Sequence, residues 1–346
     1  MISAIGEIED YTFEGTMVAL SSVTQWGDSV GGTEQFLRRE KVVRPVGDKV
    51  EIIEVPIISG NSWRGQLRRA GMKAMLQVLQ QQLGRPIILP APAYFLAFSG
   101  GSLTKEAGRG IDMGYERYLR SLLPLLGVFG GAVGRHIIEG KLAIHKIVPV
   151  CAEVAHLLPV FLTGDSTADP PIDPHPQLKM SHYDLIQMEP YTRSDPAKQT
   201  PLAELFLAPP ERQLLEQPKV RMVKNAKGEE EEIAEKPGTA QQMRYGFETI
   251  AMGTTFSCGM RLRSVTALEF ESFLFALREW SKEPIIGGQS GKGHARVKLD
   301  LRWMKADPLL QRVDEPLDVG QPFGALYTEH LRTHGDEILQ TLGDLA

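Results

Sequence analysis

The sequence predicts an α+β fold, and three observations lead to this class. Alternation of polar and apolar residues from Glu9 to Gln25 and from Glu51 to Ile58 indicates strands. An apolar repeat at helical spacing follows directly after the second of these strands. Strands and one helix return in the last third of the chain. In chain order the elements run strand, helix, strand, insertion, strand, helix, strand, which is the βαββαβ order of a ferredoxin-like sheet.

The first helix follows the turn at Ser59 and Gly60 and is amphipathic. Its core-facing stripe recurs at helical spacing and consists of Trp63, Leu67, Ala70, Ala74 and Val78. Two pairs of cations, each four residues apart, lie on flanking faces: Arg64 with Arg68, and Arg69 with Lys73. The helix therefore combines a buried side with a strongly positive side.

The later elements are predicted from the same two periodicities. They are a strand from Lys141 to Val150, one strand or two from Phe247 to Val265, a helix from Ala267 to Trp280, a strand from His294 to Trp303 and a helix near Gly324 to Leu342.

The stretch from about Gly164 to Arg244 is rich in proline and holds the acidic run GEEEEI. We expect it to form loops and hairpins attached to one domain, because these features disfavour a second independent core. The domain core then comprises about 9–160 and 246–304, with an inserted subdomain at 165–245 and an acidic C-terminal extension at 305–346.

Composition limits the class of protein. The 346 residues are 42% hydrophobic and 23% charged, which is ordinary for a folded protein with a large core. No apolar run reaches the roughly 18 residues of a membrane-spanning helix, and the first residues lack the pattern of a signal peptide. We therefore expect a cytoplasmic protein without membrane contact. The two cysteines, Cys151 and Cys258, predict buried apolar side chains, and neither disulfides nor a zinc site.

The net charge of -5 hides an uneven distribution of charges. From Asp300 to the end of the sequence nine acids stand against four bases, so this segment alone accounts for the net charge. From Val55 to Lys105 there is no acid, and the bases in this stretch are Arg64, Arg68, Arg69, Lys73, Arg85 and Lys105. This asymmetry predicts an anionic partner, which is either a nucleic acid or the acidic surface of another protein.

The segment from Gly60 to Gly65 has the Gly-x-x-x-x-Gly spacing of a nucleoside triphosphate loop. Gln66 and Leu67 stand where that loop requires Lys and Ser or Thr, so we exclude a triphosphate. What remains is a helix N-terminus with Asn61 and Ser62 as polar caps or donors, which can bind a phosphate of any origin. The alternative is a capped helix with a solvated basic face. The lack of acids around the segment favours the phosphate interpretation.

A second glycine loop, GGQSGKG from Gly287 to Gly293, links a predicted helix to the closing strand. This order excludes a phosphate loop of the strand-to-helix kind, and Lys292 breaks the Gly-x-Ser-x-Gly pattern. The glycines permit close approach of a backbone ligand, and the nearby donors are Gln289, Ser290, Lys292 and His294. In a ferredoxin-like order this loop can lie near the start of the first helix, where the two loops would form a groove for a phosphate backbone. The alternative is a flexible turn before a strand.

Other candidate sites are weaker. His330 and His334 are four residues apart and could ligate a metal, but no third ligand is evident, so we expect neither a metal nor a cofactor. Asp28 and Glu34 lie in a polar, glycine-containing loop after the first strand. One of them could be a catalytic carboxylate, and the alternative is a solvated loop acid.

Five segments in order carry a resemblance to a known family. They are ISGNSWRGQLRR, LLGVFGGAVGRHIIEGKLAIHKI, YTRSDPAK, MGTTFSCGMRL and IIGGQSGKGHARVKL. Together they resemble the RAMP-superfamily backbone subunit of CRISPR effector complexes, over roughly Met17 to Leu301. The family's "pGsSlkGalR" turn resembles Gly60 to Arg69, and its "GG.s.kGfG" loop resembles Gly287 to Gly293. Within the superfamily the chain is most similar to the backbone subunit of type IV systems.

The resemblance implies a modified RNA-recognition fold in which the insertion, from about His175 to Arg244, forms a thumb between guide and target bases. It also implies that copies stack into a helical filament along a guide RNA and bind it without sequence preference. The residues that we assign to RNA binding are Trp26, Ser59, Gly60, Asn61, Ser62, Arg64, Arg68, Arg69, Lys73, Arg193, Lys198, Arg244, Gly288, Gln289, Ser290, Lys292 and His294.

The resemblance also bears on activity. Type III relatives that cut target RNA carry an aspartate in a "GG-x-D" loop, and the corresponding residues in this chain are Gly31, Gly32, Thr33 and Glu34. The longer glutamate side chain would misplace the carboxylate, so we expect a subunit that does not cut. The alternative is an endoribonuclease that uses Glu34 or Asp28. The expected partners are a guide RNA, a DNA target, further copies of the chain, other effector subunits and a recruited helicase.

Overall fold

The computed structural model describes residues 8–30, 34–101, 112–193, 220–224, 230–234, 243–305, 313–316 and 324–344. The chain divides into two compact units. The first comprises residues 1–28, 37–187 and 249–346, and the second comprises residues 29–36 and 188–248.

Strands outnumber helices in the described part of the chain. The strands are β1 Glu9–Ala19, β2 Trp26–Val30, β3 Glu34–Leu37, β4 Arg39–Val46, β5 Lys49–Pro56, β6 Gly131–Val133, β7 His136–Ile138, β8 Leu142–Ile144, β9 Val148–Pro149, β10 Ile186–Arg193, β11 Val220–Lys224, β12 Glu230–Ala234, β13 Met243–Ile250, β14 Thr255–Val265, β15 Val297–Lys305 and β16 Val313–Pro316. The helices are α1 Gly60–Leu83, α2 Ala91–Ser99, α3 Met113–Leu122, α4 Pro124–Phe129, α5 Val160–Thr163, α6 Ala267–Ser281 and α7 Ala325–Asp344. Short 3-10 helices lie at Ala152–Leu157, Pro176–Lys179, His182–Leu185 and Ser290–Lys292.

The main sheet of the first unit has the strand order β16-β15-β1-β14-β8, and β9 also pairs with β14. Its strand pairs are antiparallel, with Phe13 of β1 opposite Met260 on one side and Trp303 on the other. Alternate residues of β1, from Tyr11 to Ala19, are buried, as the period of two requires when one face of a sheet is covered. The predicted α+β class is confirmed.

Two helices pack closely within this unit. The Trp63 ring of α1 lies 5.5 Å from the Trp280 ring of α6. A Cβ atom at Gly71 would lie 2.6 Å from the Cβ of Ala276, so glycine permits this close helix contact. The α6 helix begins with a capping box, in which Thr266 and Glu269 each cap the other's main-chain N–H.

The C-terminal helix α7 was also predicted, and it is confirmed. Its buried residues follow one face of the helix and are Tyr327, Leu331, Gly335, Ile338, Thr341 and Leu342. This face contacts α1 and α6.

Several boundaries differ from the prediction. The first strand ends at Ala19, since residues 20–25 leave the sheet as a connecting segment. The stretch from Lys141 to Val150 holds the short strands β8 and β9, and Phe247 to Val265 is divided between β13 and β14 by a turn near Gly253, whose φ is +87°. The strand β4 was not predicted. It pairs with β5 across the turn at Gly47 and Asp48, with Val43 opposite Ile52.

The second unit is built on a sheet with the order β10-β13-β3-β2. Strands β13 and β3 are parallel and pair Gly246 with Glu34. Tyr191 stacks on Tyr245 at 5.1 Å and meets Phe247 edge-on at 5.4 Å. A separate hairpin joins β11 and β12.

Both cysteines are buried free thiols, as predicted. Burial raises the pKa of the Cys151 thiol to about 12 and also raises the pKa of Cys258. In the part of the chain that the structure describes, no helix is long and apolar enough to cross a membrane.

Candidate nucleic-acid interface

The connecting segment after β1, residues 21–25, contacts both predicted loops. Through Gln25 it holds the N-terminus of α1, and through Thr24 it holds the glycine loop at 287–293. Ser22 contacts His294 and Ala295, which directly follow that loop. We refer to residues 21–25 as the bridging segment. The two loops that the sequence singled out are therefore fixed to one short piece of chain.

The N-terminus of α1 is capped and held in place by polar contacts. The Ser59 hydroxyl accepts a hydrogen bond from the Asn61 main-chain N–H at 3.3 Å. The Ser59 main-chain N–H donates to Gln25 Oε1 at 2.6 Å. A Cβ at Gly60 would lie 2.3 Å from the Ile144 carbonyl oxygen, so only glycine fits between α1 and the sheet. The first turn of the helix contains no acidic residue, so no carboxylate offsets its positive end.

The glycine loop is held on the bridging segment by its first two residues. The Gly288 main-chain N–H donates to the Thr24 carbonyl at 2.7 Å. Gly287 has a φ of +81°, and a Cβ there would lie 2.3 Å from the same oxygen. Beyond this contact, Ser290 and Lys292 are exposed on a short 3-10 turn. Gly287 and Gly288 therefore anchor the exposed part of the loop to the bridging segment.

His294 directly follows the glycine loop and contacts the bridging segment. It is 9% exposed, and its Nδ1 lies 2.8 Å from the Ser22 hydroxyl. The Arg296 main-chain N–H donates to the Ser21 hydroxyl at 3.0 Å. The sequence places His294 among the donors near the loop, but in the structure it is buried and contacts Ser22 of the bridging segment. Its role is therefore to support the loop.

Gln66 joins α1 directly to the glycine loop. Its Nε2 donates to the Gly287 carbonyl at 3.1 Å, and its Oε1 accepts from Trp280 Nε1 at 3.5 Å. Sequence reasoning used this residue only to exclude a triphosphate. A polar residue within the otherwise apolar face of α1 was the signal that could have pointed to it.

The four cations of α1 divide into two pairs with different surroundings. Arg64 and Arg68 are half-buried and donate to the main-chain carbonyl of Phe129, at 2.7 and 2.6 Å, and Arg68 also donates to the Gly130 carbonyl at 3.1 Å. Burial lowers the pKa of Arg64, and burial with the neighbouring positive charge of Arg64 lowers the pKa of Arg68 to about 10. Both arginines remain cationic at neutral pH, and both are engaged with the protein.

Glycines make room for this arginine pair. A Cβ at Gly140 would lie 2.2 Å from Arg64 Nη2 and 2.6 Å from the Phe129 carbonyl carbon. A Cβ at Gly100 would lie 1.8 Å from Arg68 Nη1. Gly100 and Gly140 therefore have a structural explanation, since they admit the two guanidinium groups.

Arg69 and Lys73 are exposed. They line a cleft of about 440 Å³ between α1 and the C-terminal end of α6, together with Gln66 and Trp280. The α6 side of the cleft also carries Lys282, whose Nζ lies 2.6 Å from Glu279 Oε2. Among the four predicted cations, this pair is the one directed to solvent.

The other predicted residues lie at scattered places. Trp26 is 37% exposed and begins β2 immediately after the bridging segment. Asn61 is exposed, Ser62 and Gln289 are half-buried, and Gln289 has a φ of +61°. Arg193 and Arg244 lie on β10 and β13 of the second unit, and Lys198 lies outside the described residues.

The two candidate carboxylates and the two histidines were weaker predictions. Glu34 is exposed at the start of β3, and Asp28 lies on β2. His330 Nε2 lies 3.0 Å from the Leu122 carbonyl, and His334 Nδ1 lies 3.0 Å from Glu337 Oε2. Among the described residues, no group of three His, Cys, Asp or Glu side chains could hold a metal ion.

The chain is similar to a number of solved structures, among them the following two. A chain of a Type IV-B CRISPR complex is 24% identical, with a TM-score of 0.45, and the match covers 88% of this chain and 95% of that chain. The crystal structure of Csc2 from Thermofilum pendens is 12% identical, with a TM-score of 0.40, and the match covers 99% of this chain and 94% of that chain. No protein-family model and no curated protein matches the sequence. These similarities assign no role to any residue.

Proposed function

We propose that this chain binds a guide RNA independently of its sequence and forms the non-catalytic backbone of an RNA-guided CRISPR effector complex. The observation that carries the proposal is the attachment of the α1 N-terminus and the glycine loop to the same bridging segment. A helix N-terminus and a glycine-rich turn are both elements that bind phosphate through main-chain N–H groups. Two such elements side by side suit a ligand with repeated phosphates.

The positive charges near these elements suit a polyanionic ligand. Arg69 and Lys73 are exposed on α1, and Lys292 is exposed on the loop. Contacts of this kind neutralise phosphates and read no bases, so the base edges of a guide stay available for pairing with a target. Sequence specificity would then belong to the guide.

The choice of guide RNA as the polyanion rests on the five motifs. In the same proposal, β1, α1, β8, β14, α6 and β15 form a ferredoxin-like, modified RNA-recognition core. Residues 165–245 act as a thumb, copies of the chain stack along the guide, and the complex pairs with a DNA target and includes other subunits and a helicase.

Measurements of RNA affinity would test this proposal. The purified chain should bind unrelated RNAs of equal length with similar affinity, and the logarithm of the affinity should fall linearly with the logarithm of salt concentration. Protein purified from cells should carry RNA of uniform length. A preparation free of nucleic acid that binds no RNA would favour the rival interpretation, a structural module whose basic helix docks on an acidic protein.

The absence of catalysis is part of the proposal. Incubation of the assembled complex with complementary RNA should leave the RNA intact, and Glu34→Ala should bind RNA as the unchanged protein does. Regularly spaced cuts that disappear in Glu34→Ala or Asp28→Ala would instead assign an endoribonuclease.

A further inference from the structure

Gln66 is a buried polar side chain with a specific set of partners. It is 8% exposed, and a buried amide is stable only when its donor and acceptor groups are hydrogen-bonded. Its Nε2 donates to the Gly287 carbonyl, and its Oε1 accepts from Trp280 Nε1, which also donates to the Ile285 carbonyl at 3.1 Å. One side chain therefore connects α1, the end of α6 and the first residue of the glycine loop.

These contacts restrict the loop from two sides. Gln66 holds the carbonyl of Gly287, and Thr24 holds the main-chain N–H of Gly288. The peptide unit between Gly287 and Gly288 is thereby fixed at both of its polar groups. The position of the following turn, Ser290–Lys292, relative to the α1 N-terminus depends on this peptide unit.

We propose that Gln66 is a positioning residue for RNA binding. It contacts no RNA itself and sets the spacing between the two phosphate-binding elements, so that one RNA backbone contacts both. This inference rests on the proposed function. A leucine would fill the same space in the core, so packing alone does not require an amide at this position.

The first test removes the hydrogen bonds and keeps the volume. Gln66→Leu should weaken RNA binding by about tenfold, because the loop is no longer oriented for its phosphate contact. Gln80→Leu is the matched control, since Gln80 is exposed on the same helix about four turns further on and does not line the cleft of Arg69 and Lys73. That control should bind RNA with unchanged affinity, and circular dichroism should show both variants folded.

The second test separates positioning from general loss of stability. If Gln66 acts through the glycine loop, Lys292→Ala should have little further effect in a protein that already carries Gln66→Leu. The slope of log affinity against log salt should become shallower by about 0.7, the value for one lost single-strand phosphate contact. This change should be the same in both single variants and in the double variant. Additive losses of affinity would overturn the proposal.

The third test uses protonation. In the Gln66→Glu variant an ionised carboxylate cannot donate to the Gly287 carbonyl, whereas the protonated acid can. Binding relative to the unchanged protein should be weak at neutral pH and recover on acidification. An ionised carboxylate at this buried position also destabilises the fold, so circular dichroism at each pH is the control. Recovery of binding in protein that is folded at every pH supports the positioning role, and recovery that only follows refolding overturns it.

The outcomes distinguish the two proposals. If the unchanged chain binds no RNA, the proposed function and this inference both fail. If the unchanged chain binds RNA and Gln66→Leu binds it equally well while folded, only the role of Gln66 is overturned.

Discussion

Arg64 and Arg68 donate to one and the same acceptor, the main-chain carbonyl oxygen of Phe129. Two cations one helical turn apart are held together there although they repel each other, and burial disfavours their charged forms. The arrangement persists because the carbonyls at the C-terminal end of α4 need donors and carry the negative end of the helix dipole. These arginines therefore connect α1 to α4.

Arg68→Ala should lower the free energy of unfolding by about 1–3 kcal/mol, because the Gly130 carbonyl loses its arginine donor and the Phe129 carbonyl loses one of two. Arg69→Ala should change that free energy by less than about 0.5 kcal/mol, since its side chain is exposed. It should instead weaken RNA binding and reduce the salt slope by about 0.7. Urea unfolding and RNA titrations over a range of salt measure both quantities. Equal stability of the two variants would contradict this assignment.

Gly60→Ala should destabilise the protein, whereas Gly65→Ala should not. A Cβ at Gly60 would lie 2.3 Å from a main-chain oxygen of β8, which cannot move without disturbing the sheet. We expect a loss of about 2 kcal/mol or more in the free energy of unfolding, because the overlap is with backbone. At Gly65 the nearest atom would be 3.4 Å away, at the end of the Arg69 side chain. Alanine there should be neutral or stabilise the helix by up to about 1 kcal/mol. Thermal unfolding of both variants tests this, and a stable Gly60→Ala protein would disprove the close approach.

At acidic pH the free energy of unfolding should depend on the ionisation of Glu153. Burial by itself raises the pKa of this carboxyl, but hydrogen bonds from the Ser181 hydroxyl, at 2.6 Å, and from the His182 main-chain N–H, at 3.0 Å, outweigh it. The pKa is lowered to about 2, from 4.5 for an exposed glutamate. The stabilisation is therefore fully present above pH 4.5 and is lost as the pH falls towards 2.

The measurement for Glu153 is urea unfolding at several pH values. Glu153→Gln should be less stable than the unchanged protein by about 2–3 kcal/mol at neutral pH, and the difference should shrink steadily below pH 4.5. A difference that is independent of pH would show that the carboxylate charge contributes nothing.

Lys141 and Glu269 form an ion pair whose carboxylate is almost fully buried. Lys141 Nζ lies 2.6 Å from Glu269 Oε2, and the Glu269 side chain is 5% exposed. Lys141→Met should cost about 3–5 kcal/mol of unfolding free energy, because it leaves a buried charge without its partner. Lys282→Met is the matched control at a surface pair, since the Lys282 side chain is 65% exposed, and it should cost less than about 1 kcal/mol. Urea denaturation at low and high salt measures the loss of unfolding free energy in both variants. Equal losses in Lys141→Met and Lys282→Met would contradict this prediction.

Much of the fold could be predicted because it follows from periodicity. The stripe from Trp63 to Val78 and the alternation in β1 each reflect one buried face, and they identified α1 and β1. The strand β4 was missed although Gly47 and Asp48 form a turn signal between two alternating runs. Local patterns indicate which residues are buried, and that was sufficient to predict β1, α1, α6 and α7, whereas α2 to α5 were not predicted.

The candidate site was less predictable because long-range contacts decide it. Arg64 and Arg69 look alike in sequence, and only the placement of Phe129 separates a buried guanidinium from an exposed one. His294 and Lys292 are two residues apart, and the position of Ser22 decides that His294 is buried. Gln25 gave no signal, since its role depends on a main-chain N–H thirty-four residues away.

The left-handed backbone angles around the glycine loop have a kinetic consequence. Gly287, Gln289, Gly293 and Ala295 all have positive φ, and main-chain contacts to the bridging segment support the loop in this shape. A loop that the protein's own contacts hold in place should lose little conformational entropy when it binds RNA. Encounter with the phosphate backbone should then be limited by diffusion and electrostatic attraction, and slow rearrangement of the protein should contribute little to the association rate.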